Sequence, residues 1–129
     1  MNSQMIKDII EKRKQLDLND GFGLQECWGQ LSDALSEDIA FTIAFITNEC
    51  TNSDFFWISE VFEEIANKTK SSDFISAISK RLESVRPETY KQDQFEDNFI
   101  RENIDYKTYV NSIRAEIECA EGMLQKDGQ

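Results

Sequence analysis

The sequence predicts an all-α protein: a single compact domain over residues 1–129, with about six or seven helices stacked as hairpins, in a bundle or a short solenoid-like array. Three observations carry this prediction. One Pro and five Gly are all that interrupt 129 residues, so few positions favour breaking a helix. Apolar residues recur three and four apart through most of the chain, which is the helical period and not that of a strand. Hydrophobic residues make up 40%, among them nine Phe, three Tyr and two Trp, enough for a core despite 30% charged residues.

Ser3 to Lys14 reads as a short amphipathic helix with Ile6, Ile9 and Ile10 on one side. The pattern leaves residues 1–14 and 125–129 loosely attached. Residues 15–23 read as a loop broken by Gly21 and Gly23. Asp17, Asn19 and Asp20 hint at a calcium loop, but its Gly comes one position early and Trp28 stands where the twelfth-position Glu belongs.

Leu24 to Leu35 is the second helix, with Leu24, Cys27, Trp28, Leu31 and Leu35 at helical spacing. Ser36 reads as the next N-cap, with Glu37 and Asp38 complementing the dipole. The third helix runs to about Cys50. Ile39, Ile43, Ile46 and Cys50 form one apolar face, and Phe41, Ala44 and Phe45 much of another, so it is predicted to be central.

The pattern restarts at Asn52 and Ser53, and again at Ser71 and Ser72. The helix carrying Phe74, Ile75, Ile78, Leu82 and Val85 stops before Pro87. Beyond it, Tyr90, Phe95, Phe99, Ile100 and Ile104 are the apolar members of a charged stretch. Tyr106, Tyr109, Val110, Ile113, Ile117, Ala120 and Leu124 then hold a stripe. Either a break near Asn103 to Asp105 or one long bent helix fits this pattern.

The net charge is −11, and it is unevenly placed. No Lys or Arg occurs between Lys14 and Lys68, while that stretch holds Asp17, Asp20, Glu26, Asp33, Glu37, Asp38, Glu49, Asp54, Glu60, Glu63 and Glu64. These eleven of the 25 acids account for the whole imbalance, because the other fourteen match the fourteen bases. Such a field repels nucleic acid and anionic membrane, and it attracts a cationic protein. A solubilising surface is the plainer reading of the same charge.

The chain contains no His, which removes the commonest general base and zinc ligand. No Cys-x-x-Cys, P-loop or dinucleotide fingerprint is present. Cys27, Cys50 and Cys119 sit in apolar helical patterns and read as reduced, buried side chains. No catalytic residue, metal site or cofactor is expected. A carboxylate pair such as Glu60 with Glu63 or Glu64 leaves an acid–base hydrolase as a third-ranked reading. Neither a signal-peptide core nor a run near the ~20 apolar residues of a membrane span occurs, which predicts a cytoplasmic location.

Residues 54–68, DFFWISEVFEEIANK, give the most informative pattern. On one straight helix Phe55, Ile58, Val61, Phe62 and Ile65 fall on the core side. Phe56 and Trp57 then share the other side with Glu60, Glu63 and Glu64. Within the helix only Lys68 stands at i+4 to one of these acids, Glu64. Aromatics beside unpaired carboxylates suit the reception of a partner's Arg or Lys. The candidate partner-binding residues are therefore Glu60, Glu63, Glu64, Trp57 and Phe56, with Asp54, Glu37 and Asp38 extending the acidic surface. The plainer reading packs Phe56 and Trp57 against neighbouring helices and leaves three solvated glutamates.

The segment FFWISEVFEEIANKTKSSDFISAISKRLESV, with EIECAEGML near the C-terminus, resembles the small all-helical immunity proteins of bacterial contact-dependent growth inhibition and related polymorphic toxin systems. The resemblance is carried by Trp57, Ser59-Glu60-Val61-Phe62, Ile65, a capping Ser before Phe74-Ile75, and Glu116, Ile117 and Ala120. It implies a stoichiometric inhibitor of a cognate toxin C-terminal domain, a basic protein and commonly a nuclease. A helical-repeat-like adaptor or chaperone for a basic partner is the alternative.

Overall fold

The computed structural model describes residues 3–17, 19–92, 100 and 104–125. Expectations for Phe95, Phe99, Asn103 and the tail beyond 125 fall outside these residues. Helix α1 spans Ser3–Lys14, α2 Gly21–Glu37, α3 Ile39–Asn48, α4 Asn52–Ile58, α5 Phe62–Thr69, α6 Ser72–Glu83, α7 Pro87–Gln92 and α8 Tyr106–Gln125. A 3₁₀ turn at Ser59–Val61 joins α4 to α5. No strand occurs among the described residues, so the all-α class holds.

Local side-chain chemistry sets where most of these helices begin. Helix α2 starts three residues before the expected Leu24, because the Asp20 carboxylate accepts the Gly23 N–H at 2.9 Å and caps it. A Cβ on Gly23 would lie 2.5 Å from Asp20 Oδ2, so this glycine allows a close approach and does not loosen a loop. Asp38, not Ser36, caps α3 by accepting the Phe41 N–H at 3.2 Å. Thr51 caps α4 and Ser71 caps α6, each accepting an N–H at 3.0 Å. Pro87 opens α7, where its missing N–H costs nothing. Asp105 accepts the Thr108 N–H at 2.7 Å ahead of α8, which places a break before that helix. The Thr108 hydrogen bonds hold the Asp105 carboxyl below the usual range.

The single helix expected over 54–68 is two helices. Ser59 donates its hydroxyl to the Phe56 carbonyl, and Val61 takes φ −117° and ψ 13°, outside the helical region. The core side of the wheel survives this break, since Phe55, Ile58, Val61, Phe62 and Ile65 are all fully buried.

The core is continuous from α1 to α8. Phe45, Phe55, Phe62, Phe74 and Tyr109 are fully buried within it. Helix α5 lies along α8, α2 packs on α5, α3 on α6, α6 on α8, and α1 on both α2 and α4. Helices remote in sequence thus pair with one another, which makes a bundle; a solenoid repeat touches only its neighbours. The Tyr109 hydroxyl donates to the Asn52 carbonyl at 2.6 Å, and the Tyr106 hydroxyl to the Val85 carbonyl at 2.9 Å, fixing α8 against both ends of the α4–α6 region.

Two placements differ from expectation. Helix α3 is not central: Thr42, Phe45 and Ile46 are buried, Ile39, Phe41 and Ile43 are half-buried, and Ala44 is exposed. It packs on α6 and α2 with one side only. Helix α1 is firmly seated, because Ile6, Ile10 and Arg13 are all buried. No helix among the described residues is long and apolar enough to cross a membrane.

Candidate functional site

The acid–aromatic arrangement read from residues 54–68 exists, and a base of this same chain occupies part of it. Arg13 on α1 donates Nε to Glu60 Oε1 at 2.7 Å and Nη2 to Glu60 Oε2 at 2.8 Å. Its guanidinium carbon lies 4.8 Å from the Trp57 ring centroid. The indole Nε1 of Trp28 on α2 also donates to Glu60 Oε1, at 3.1 Å. Arg13 and Trp57 are only 5% and 6% exposed. This is a charge-assisted fork-to-fork pair roofed by a ring, withdrawn from solvent. Trp57 and Glu60 therefore bind α1 to the rest of the bundle, and Glu60 keeps a 27% exposed side chain.

Further bases return to the acidic stretch in the same way. Lys7 pairs with Asp54 at 3.1 Å, with Asp54 buried at the start of α4. Lys68 pairs with Asp33 and donates to Ser32 Oγ at 3.1 Å. Asp54 is thus an internal partner. Glu37 and Asp38 stand exposed at the α2–α3 junction, where Asp38 caps α3.

Of the remaining candidates, Phe56 lines an open cleft of about 310 Å³ together with Trp28, Ser59, Glu60, Ser112 and Glu116. Phe56 is half-buried, stacked on Tyr109 at 5.8 Å between centroids and edge-on to Trp57 at 5.5 Å, so its ring is held in place. Burial pushes the Glu116 carboxyl up, and the charges of Glu63, Glu64 and Glu60 push it further. Glu63 is half-buried and Glu64 exposed on α5. Neither forms an ion pair with a described residue, and nor does Glu116.

The structure thus brings Phe56, Glu60, Glu63 and Glu64 to one neighbourhood, and leaves Asp54, Glu37 and Asp38 outside the cleft lining. Arg13, Trp28, Ser112 and Glu116 belong to this neighbourhood but were not among the sequence candidates. Ser112 and Glu116 stand at i and i+4, each one residue before a member of the Ile113–Ile117 stripe, so their shared flank was readable. Which helix faces that flank was not.

The cleft sets two aromatic rings beside two hydroxyls and the Glu60 and Glu116 carboxylates. Glu60 is engaged by Arg13 through both oxygens. No group of three metal-binding side chains occurs among the described residues. Burial pushes the Cys50 thiol up to about 12 and raises that of Cys27, so both stay protonated. Cys119, expected to be buried, is exposed, because it lies off the α8 stripe between Ile117 and Ala120. A second groove, about 460 Å³ along α1, is lined by Gln4, Met5, Asp8, Ile9 and Lys12; it mixes both charge signs and holds no aromatic ring.

Comparison of the chain with protein-family models, curated proteins and solved structures finds no match.

Proposed function

We propose that this chain is a non-catalytic binding protein that neutralises a cationic toxin domain in the cytoplasm, as its resemblance to immunity proteins implies. One observation carries the reading. The chain's own bases neutralise Asp33, Asp54 and Glu60, yet among the described residues no cation pairs with Glu116 in the aromatic-walled cleft or with Glu63 and Glu64 on the adjoining α5. Uncompensated like charges in one place destabilise a fold, so their retention is better explained by use than by stability. A nuclease domain, basic for its own substrate, has the complementary surface.

The test is capture of the tagged protein's partner, followed by expression of that partner with and without this chain. The reading expects one dominant basic protein whose expression arrests growth, with growth restored by co-expression. Association should slow about tenfold or more on moving from low to high salt. Several partners retained at high salt, none of them toxic, would replace this reading with the adaptor.

A further inference from the structure

We propose that the cleft between Trp28, Phe56, Ser112 and Glu116 is a receptor for a single guanidinium group, supplied by an arginine of the partner; this rests on the binding-protein reading above. The independent observation is the filled site that shares its wall. Arg13 shows what this surface does with a guanidinium: a ring face at 4.8 Å, two hydrogen bonds to one carboxylate, and an indole N–H on that same carboxylate. The adjoining cleft is lined by parts of the same kind, and it shares Glu60 and Trp28 with the Arg13 site. Trp28 and Phe56 supply rings, and Glu116 supplies a carboxylate with no ion pair to a described residue.

Size and charge narrow the ligand. About 310 Å³ lies at the lower end of small-molecule pockets, roughly 300–1,000 Å³, and suits the end of one long side chain. Glu60 is already neutralised by Arg13, so Glu116 is the counter-ion, with Glu63 and Glu64 on α5 adding field. A divalent metal does not fit, because no three carboxylates among the described residues converge. A planar guanidinium fits better than an ammonium, because it stacks on a ring while hydrogen-bonding a carboxylate in its own plane. Phe56 is held in place by Tyr109 and Trp57.

The experiment uses the whole protein and a probe in place of the partner. Isotope-labelled protein is titrated with N-acetyl-arginine amide and, separately, N-acetyl-lysine amide, and followed by NMR. The expected result is saturating shifts confined to the Trp28 indole N–H, the Ser112 amide and the Glu116 carboxyl. The Glu116 titration midpoint should fall as the guanidinium enters, because a cation favours the ionised form. Glu116→Gln relieves like-charge crowding and so folds; it should weaken arginine-amide binding about tenfold. Ser112→Phe, made at an exposed position on the rim, should abolish binding, and Glu37→Gln should leave it unchanged. Shifts that fail to saturate, that include Glu37 and Asp38, or that saturate at the same concentration in Glu116→Gln would overturn the site. An equal response to lysine amide would overturn the guanidinium assignment. Because no partner is needed, a failed titration removes this site and leaves the neutralisation reading to its own test.

Discussion

Arg13 is the residue on which the acidic stretch turns. It carries the counter-charge of Glu60 across 47 positions of sequence and covers Trp57 with its guanidinium. Removing Arg13 leaves the Glu60 charge with no counter-ion and only partial access to water. Arg13→Met should therefore cost roughly 3 kcal/mol, the low end of the range for broken buried pairs, because Glu60 keeps a 27% exposed side chain. Urea denaturation measures the loss. In the Arg13→Met background, Glu60→Gln should recover part of it, since the stranded charge is gone. Additive losses in that double-mutant cycle would mean that the pair is surface decoration.

At the scale of elements, caps and breaks outweigh propensity. Gly23 lies in the first turn of α2 and Gly29 lies in its middle, so composition treats them alike. Their surroundings do not. A Cβ at Gly23 meets the Asp20 carboxylate, whereas one at Gly29 meets nothing within 4 Å. Gly23→Ala should lose about 1 kcal/mol, as the cap outweighs the gain in helix propensity. Gly29→Ala should gain up to about 1 kcal/mol from propensity alone. Thermal denaturation of the two variants should move in opposite directions, and a shift of the same sign in both would refute the cap's role. The 3₁₀ turn at Ser59–Val61 belongs to the same scale. Nothing in the apolar spacing marks it, because Phe55, Ile58, Phe62 and Ile65 are all buried with the break in place. Its effect is to send Glu60 to Arg13 while Glu63 and Glu64 stay beside Glu116.

For the whole molecule, the ends of the chain partly neutralise its middle. Lys7, Arg13 and Lys68 fold onto Asp54, Glu60 and Asp33, and of the acids they leave, Glu63 and Glu64 act on Glu116. Glu116 holds its proton more tightly when folded than its ordinary pKa of 4.5 allows. Folding therefore takes up a proton as pH rises above 4.5, and stability falls through that window until the folded carboxyl also ionises. Glu116→Gln should stabilise the protein at pH 7 by about 0.5 kcal/mol, the scale of a screened like-charge contact. The gain should vanish near pH 4, where both states are protonated. Denaturation at the two pH values in low salt tests this, and a gain independent of pH would assign the effect to packing.

By itself the sequence determined the helical class, the run of helices from the apolar period, and the concentration of charge between Lys14 and Lys68. It also located Phe56, Glu60, Glu63 and Glu64 in one neighbourhood. These are properties of spacing along the chain, and a helix repeats every 3.6 residues wherever it lies. Only the tertiary structure decided which acids are satisfied, that Trp57 is buried, that α3 is peripheral and α1 is seated, and that α8 brings Glu116 to the cleft. A carboxylate's state depends on the charge and water within a few ångströms of it. For Glu60 that charge comes from Arg13, a neighbour that only the packing of α1 against α2 and α4 brings within reach.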